Sequence, residues 1–135
     1  MLHREITQKV IDAAHLVHEA LGNGFKRDVY LRALSYELGN GGAAFIADLQ
    51  QPIFYRDHVV GTANIELLVE EKVLVHVTSE PEIPANAYGE VRCLMQTKDI
   101  PLGLIVGFGS RRLDVRRVEQ PAPVKRERTP TGRIE

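Results

Sequence analysis

Two alternating runs joined by a short charged turn restrict this chain more than any other feature. In residues 64–69, Ile65, Leu67 and Val69 alternate with Asn64, Glu66 and Leu68. In residues 73–78, Val73, Val75 and Val77 alternate with Leu74, His76 and Thr78. Strand side chains point to the two sides of a sheet in turn, so a one-residue slip would send one apolar set to the wrong side. A shared face requires Val69 opposite Val73, Leu67 opposite Val75 and Ile65 opposite Val77. Glu70-Glu71-Lys72 is then a three-residue connection. The same register puts Glu66 opposite His76, and Asn64 opposite Thr78, on a second, semi-polar face where chemistry is to be sought.

Helical periodicity surrounds this unit. Ile6, Val10, Ala13, Ala14, Val17 and Leu21 form one face of a helix over 4–21, stopped by Gly22-Asn23-Gly24. Tyr30, Ala33, Leu34 and Leu38 form the apolar face of a second helix over 27–38, ended by the glycine-rich run 39–42. That run has no Lys-Ser/Thr of a phosphate loop and is read as a turn. Residues 43–55 are extended but broken by Pro52, which marks an edge or a bulge, and 56–58 form a turn. A third helix over 85–97 carries Tyr88, Val91, Leu94 and Met95. The apolar run 102–108 reads as a strand covered on both sides, and 113–118 as a short edge strand. From Gln120 the chain is rich in proline and charge and receives no secondary structure. The order implies an α/β sandwich around a mixed sheet.

Composition adds limits. With 135 residues, 44% apolar and 26% charged, the chain fits one folded domain. No apolar run approaches the ~18 residues of a membrane span, and the charged start leads into no signal-peptide core. The single Cys93 excludes an internal disulfide and the usual cysteine zinc clusters, and is read as a small helix residue. A cytoplasmic setting without membrane contact is expected. The net charge of -1 hides an asymmetry: residues 1–110 hold 9 basic and 14 acidic side chains, residues 111–135 hold 8 and 4.

The segment Gly22-Asn23-Gly24-Phe25-Lys26-Arg27-Asp28-Val29-Tyr30 resembles the signature of the GxxExxY proteins, within the PD-(D/E)XK nuclease-like superfamily. The resemblance continues at Val17-His18, at residues 67–73, and at Leu102-Gly103-Leu104-Ile105 with Phe108-Gly109. It covers roughly residues 4–118. It implies a four-stranded mixed sheet flanked by helices, with His18, Gly24 and Tyr30 as family-motif positions.

The departures bear on activity. Arg27 stands where the signature has glutamate. Glu66 falls at the family's metal-binding Asp, His76 and Thr78 at its Glu-x-Lys, and Glu90 at a helical Gln. Such nucleases hold Mg²⁺ through carboxylate oxygens, and the metal activates water at the phosphate. Glu66 retains a hard ligand, His76 is a poor one for Mg²⁺, and Thr78 has no charge. His18 is read as a helix-packing or hydrogen-bonding residue; a zinc site of His18, Glu66 and His76 is the sharper alternative. Glu66 and His76 are read as a cross-strand pair, and Arg27 as a partner of a surface carboxylate or of another subunit. Asp28 lies about 100° around the helix from Arg27, a poor substitute for the missing acid.

These readings divide the chain into a PD-(D/E)XK-like domain, 1–118, and a Pro/Arg-rich arm, 119–135. They describe a catalytically degenerate nuclease fold, with no cofactor and no metal, acting as a self-assembling structural or interaction subunit. Homo-oligomer contacts are expected from the arm, through Lys125, Arg126 and Arg128, with Arg111, Arg112, Arg116 and Arg117 as further interaction residues. The alternative is a Mg²⁺-dependent DNA nuclease, or a DNA-binding module with altered residues, in which these cations meet nucleic acid.

Overall fold

A computed structural model describes residues 3–120. The elements are α1 (Arg4–Leu21), α2 (Arg27–Asn40), β1 (Phe45–Tyr55), β2 (His58–Val69), β3 (Val73–Thr78), α3 (Asn86–Lys98), β4 (Leu102–Gly107) and β5 (Asp114–Glu119). The strands form one sheet in the order β1-β2-β3-β4-β5. Only β3 and β4 run parallel; the other neighbours are antiparallel. The mixed α/β architecture is as expected, with five strands rather than four. Pro52 does not break β1: it lies within an edge strand opposite Thr62, where a missing N–H can be tolerated. The irregularity falls one step later, between Ile53 and Phe54.

Three layers follow from the residue pattern. On one side of the sheet, Val10, Ala13, Ala14 and Val17 of α1 and Tyr30, Leu34 and Leu38 of α2 pack on Leu67, Val69, Val73, Val75 and Val77. On the other, Ala87, Val91 and Met95 of α3 pack on Ile65, Leu68, Leu74 and Ile105. β4 is buried along its whole length, as its continuous apolar run required. Gly22 ends α1 with φ +78. The second helix runs through Asn40, two residues past the expected end, to a cap at Gly41.

The predicted register holds at Leu67/Val75 and Val69/Val73, and fails at the third pair. The β2–β3 ladder stops at Leu67/Val75, and Ile65 packs on the α3 side, not beside Leu67. Residues two apart on a regular strand share a face, so β2 is turned at Glu66. Asp48, opposite Glu66 on β1, has φ +53 and the pairing is interrupted there. Alternation in the sequence carries no sign of this local rotation.

The rotation opens a fork. β3 continues with β4, while β1 and β2 run on as a two-stranded ribbon to the turn at Arg56 and Asp57. Both turn residues have positive φ, 49 and 73, as a tight hairpin requires. At the other end of β4, Gly109 lies against the backbone of Ser79 and Glu80 so closely that a Cβ would overlap the Glu80 carbonyl.

Candidate functional site at the sheet fork

Where β2 leaves β3, a side chain replaces the lost ladder bond. Glu66 Oε1 accepts the Val77 N–H at 2.8 Å. Glu66 Oε2 is held in an ion pair by Arg27 Nη1. The Glu66 side chain is only 7% exposed, while that of Arg27 is 46% exposed. A buried carboxylate is tolerable when paired and hydrogen-bonded, and Glu66 is both. His76 lies on the α3 side, with Nδ1 3.8 Å from Glu66 Oε1 and Nε2 3.8 Å from Glu90 Oε1. Those are proximities and too long for hydrogen bonds. The expected Glu66–His76 neighbourhood therefore exists, although not as a ladder pair.

Arg27 was expected to meet a surface carboxylate or another subunit; its partner is instead the buried Glu66. Its placement is locally unfavourable. It opens α2 beside Lys26, with no side-chain cap on the exposed amides. Cations oppose the positive end of a helix dipole, so helix stability alone does not account for arginine here. The useful sequence signal was the charge reversal at this position, opposite a strand carboxylate that has no lysine beside it.

The family-motif residues hold Arg27 in place from behind. Tyr30 is fully buried. Its hydroxyl donates to Gly22 O at 2.7 Å and accepts the Phe25 N–H at 3.1 Å, closing the loop that leads into α2. Its ring stacks on Phe108 at 4.5 Å. His18 Nε2 donates to Ser110 O at 3.0 Å, and Asn23 Nδ2 to Gly109 O at 3.3 Å. His18 thus serves packing and hydrogen bonding. No Cβ contact explains Gly24.

The interaction arginines are not gathered into one patch. Arg116 pairs with Asp114 and Arg117 with Glu119, each within β5. Adjacent strand residues point to opposite sides, which separates the two cations. Arg111 and Arg112 are exposed in the preceding turn. Lys125, Arg126 and Arg128 lie outside the described residues.

The family's Mg²⁺ does not suit this donor set. One Glu66 oxygen is engaged by a backbone amide and the other by a guanidinium. His76 is a poor Mg²⁺ ligand. The Thr78 hydroxyl is buried without a hydrogen-bond partner among the described residues. No three His, Cys, Asp or Glu among the described residues are grouped to hold a metal ion, and His18 is engaged elsewhere.

A family model of the PD-(D/E)XK nuclease superfamily matches residues 4–118. The chain therefore belongs to that superfamily. Neither the comparison with curated proteins nor that with solved structures found a match. Among the described residues, no helix is long and apolar enough to cross a membrane.

His76 gives the site a pH signature. Burial lowers its pKa from the ordinary 6.5; Glu90 opposes this and Arg27 adds to it. Above the ordinary value both folded and unfolded states are neutral and nothing is lost. As pH falls below it, the unfolded chain takes up a proton that the folded site resists. Stability therefore drops through that window and levels off below the depressed folded value. Urea midpoints at pH 8 and pH 5 should show a smaller acid loss for His76→Gln than for the unaltered protein. Equal losses would mean that His76 is not the source.

Proposed function

We propose that this protein is a catalytically degenerate member of its superfamily, of the GxxExxY type, acting as a self-assembling structural or interaction subunit. The observation that carries the reading is the Arg27–Glu66 ion pair. The guanidinium supplies, at the surviving family carboxylate, the positive charge that a metal would otherwise supply. His76 and Thr78 offer neither the second carboxylate nor the ammonium that a phosphodiester cleavage of this kind requires. The apolar core and the motif contacts of Tyr30 and His18 support retention of the scaffold without the chemistry. Assembly is assigned to the arm, 119–135, on composition. Its cations oppose the charge of the acidic body.

A plasmid assay tests the catalytic half. With Mg²⁺ or Mn²⁺ the protein should leave DNA intact, with a His76→Glu/Thr78→Lys variant run alongside. Robust cleavage by the unaltered protein, abolished by Glu66→Ala, would overturn the reading. Deleting 120–135 tests the other half: the oligomer mass should fall in the absence of nucleic acid. Unchanged mass with lost DNA affinity would make the arm a nucleic-acid contact.

A further inference from the structure

The α3 side of the sheet is open at one corner. Ile46 and Leu49 of β1, Leu68 of β2 and Ile100 after α3 line a groove of about 270 Å³. Leu68 and Ile100 belong to the core on that side, Leu49 packs against it, and Ile46 is 42% exposed. Exposed Glu71 and Lys98 complete the lining.

The last described residue, Gln120, is held beside this groove. Its Nε2 donates to Ile100 O at 2.7 Å and its N–H to Pro101 O at 3.3 Å. One row of strand ends leads from there to the far wall. Glu119 is opposite Leu102, Leu102 opposite Val73, Val73 opposite Val69 and Val69 opposite Phe45. From β5 to β2 is three strand spacings, about 14 Å. Five residues of chain span at most about 17 Å, so Val124 is within reach of Leu68 and Ile46. Lys125 then arrives at Glu71, in the turn that follows β2.

The residues that come next suit such a groove. Pro121-Ala122-Pro123-Val124 is uncharged and apolar, and Lys125 and Arg126 follow at once. Pro121 and Pro123 have no N–H, so only Ala122 and Val124 bring amide donors to an apolar surface. A chain already bonded at Ile100 loses none of the translational freedom that a separate partner gives up. A groove this small therefore favours a tethered occupant over a free one.

We infer that this groove seats residues 121–124 of the same chain, with Val124 against Ile46 and Leu68 and the first cations at Glu71. The seat closes the open corner of the α3-side core and fixes the point from which 125–135 leaves the domain. It goes beyond the proposed contact of the arm with another copy and does not depend on it.

The test is Ile46→Cys/Val124→Cys in a Cys93→Ser background. Under mild oxidation a disulfide should close within one chain at least about 10-fold faster than in Leu16→Cys/Val124→Cys. Leu16 is exposed on α1, across the sheet from the groove. Methyl spectra of the full chain give an independent readout. Val124→Asp should shift the Ile46 and Leu68 signals and leave those of Leu16 in place. Closure no faster than in the control, with Ile46 and Leu68 unmoved, would overturn the seat. Disulfides between chains, read as a doubled mass without reductant, would give the groove to the arm of a second copy and overturn the assignment to the same chain. The oligomer mass of the 120–135 deletion reports the self-assembly reading separately, so either can fail without the other.

Discussion

Replacing Arg27 by alanine should lower the unfolding free energy by about 2–4 kcal/mol. Although Arg27 is half-exposed, the cost arises at Glu66. The substitution strands a carboxylate that is 7% exposed and leaves it with one backbone amide as partner. The upper part of the range for a stranded buried charge is discounted because water can enter where the guanidinium stood. Adding Glu66→Gln should recover much of the loss, since the amide oxygen can still accept the Val77 N–H without carrying charge. Chemical denaturation of the two single variants and the double variant checks this. A double variant as unstable as the sum of the singles would show that the two side chains act independently.

Gly109→Ala should be more damaging, on the order of 4 kcal/mol, with Tm lowered by roughly 10–20 °C or no folded protein recovered. The added methyl would overlap the Glu80 carbonyl and crowd Ser79, both backbone, so no side-chain rotation relieves it. The segment is also tied on its other side: Phe108 N–H donates to Thr78 O, Gly109 O accepts from Asn23, and Ser110 O accepts from His18. Displacing it would loosen the loop that presents Arg27. Gly24→Ala is the control, because open space surrounds it and its φ is not positive. It should change stability by less than about 1 kcal/mol. Similar melting curves for the two variants would refute the packing argument.

Much of the fold was legible because its signals are periodic. The faces of α1 and α2, the stop at Gly22, the turn at Arg56-Asp57 and the doubly covered β4 each follow from spacing and residue type. The site was legible only in part. Glu66, His76 and Glu90 were singled out and do lie together, but the face of Ile65 was misplaced. A strand rotation at one residue leaves alternation in the sequence intact, while Asp48 carries the positive φ on the other strand. The Arg27 partner was hidden for a different reason. It depends on how α2 docks over the sheet, and helix periodicity fixes a face without fixing what that face's first residue will meet.

The strand order, identical to the order along the chain, also shapes how the molecule comes together. β1, β2 and β3 are joined by tight turns, and β4 and β5 by a short loop, so their pairings close small loops at little entropic cost. Only the parallel β3–β4 pair must wait for a crossover through α3. The Glu66–Val77 bond spans eleven residues and belongs to this local phase, whereas Arg27 arrives with a helix from an earlier part of the chain. Glu66 is thus enclosed in two stages, by its own hairpin first and by its counter-charge later. Until α2 docks, solvent must carry the charge of that carboxylate, which makes docking of α2 the step that exchanges water for a guanidinium at Glu66.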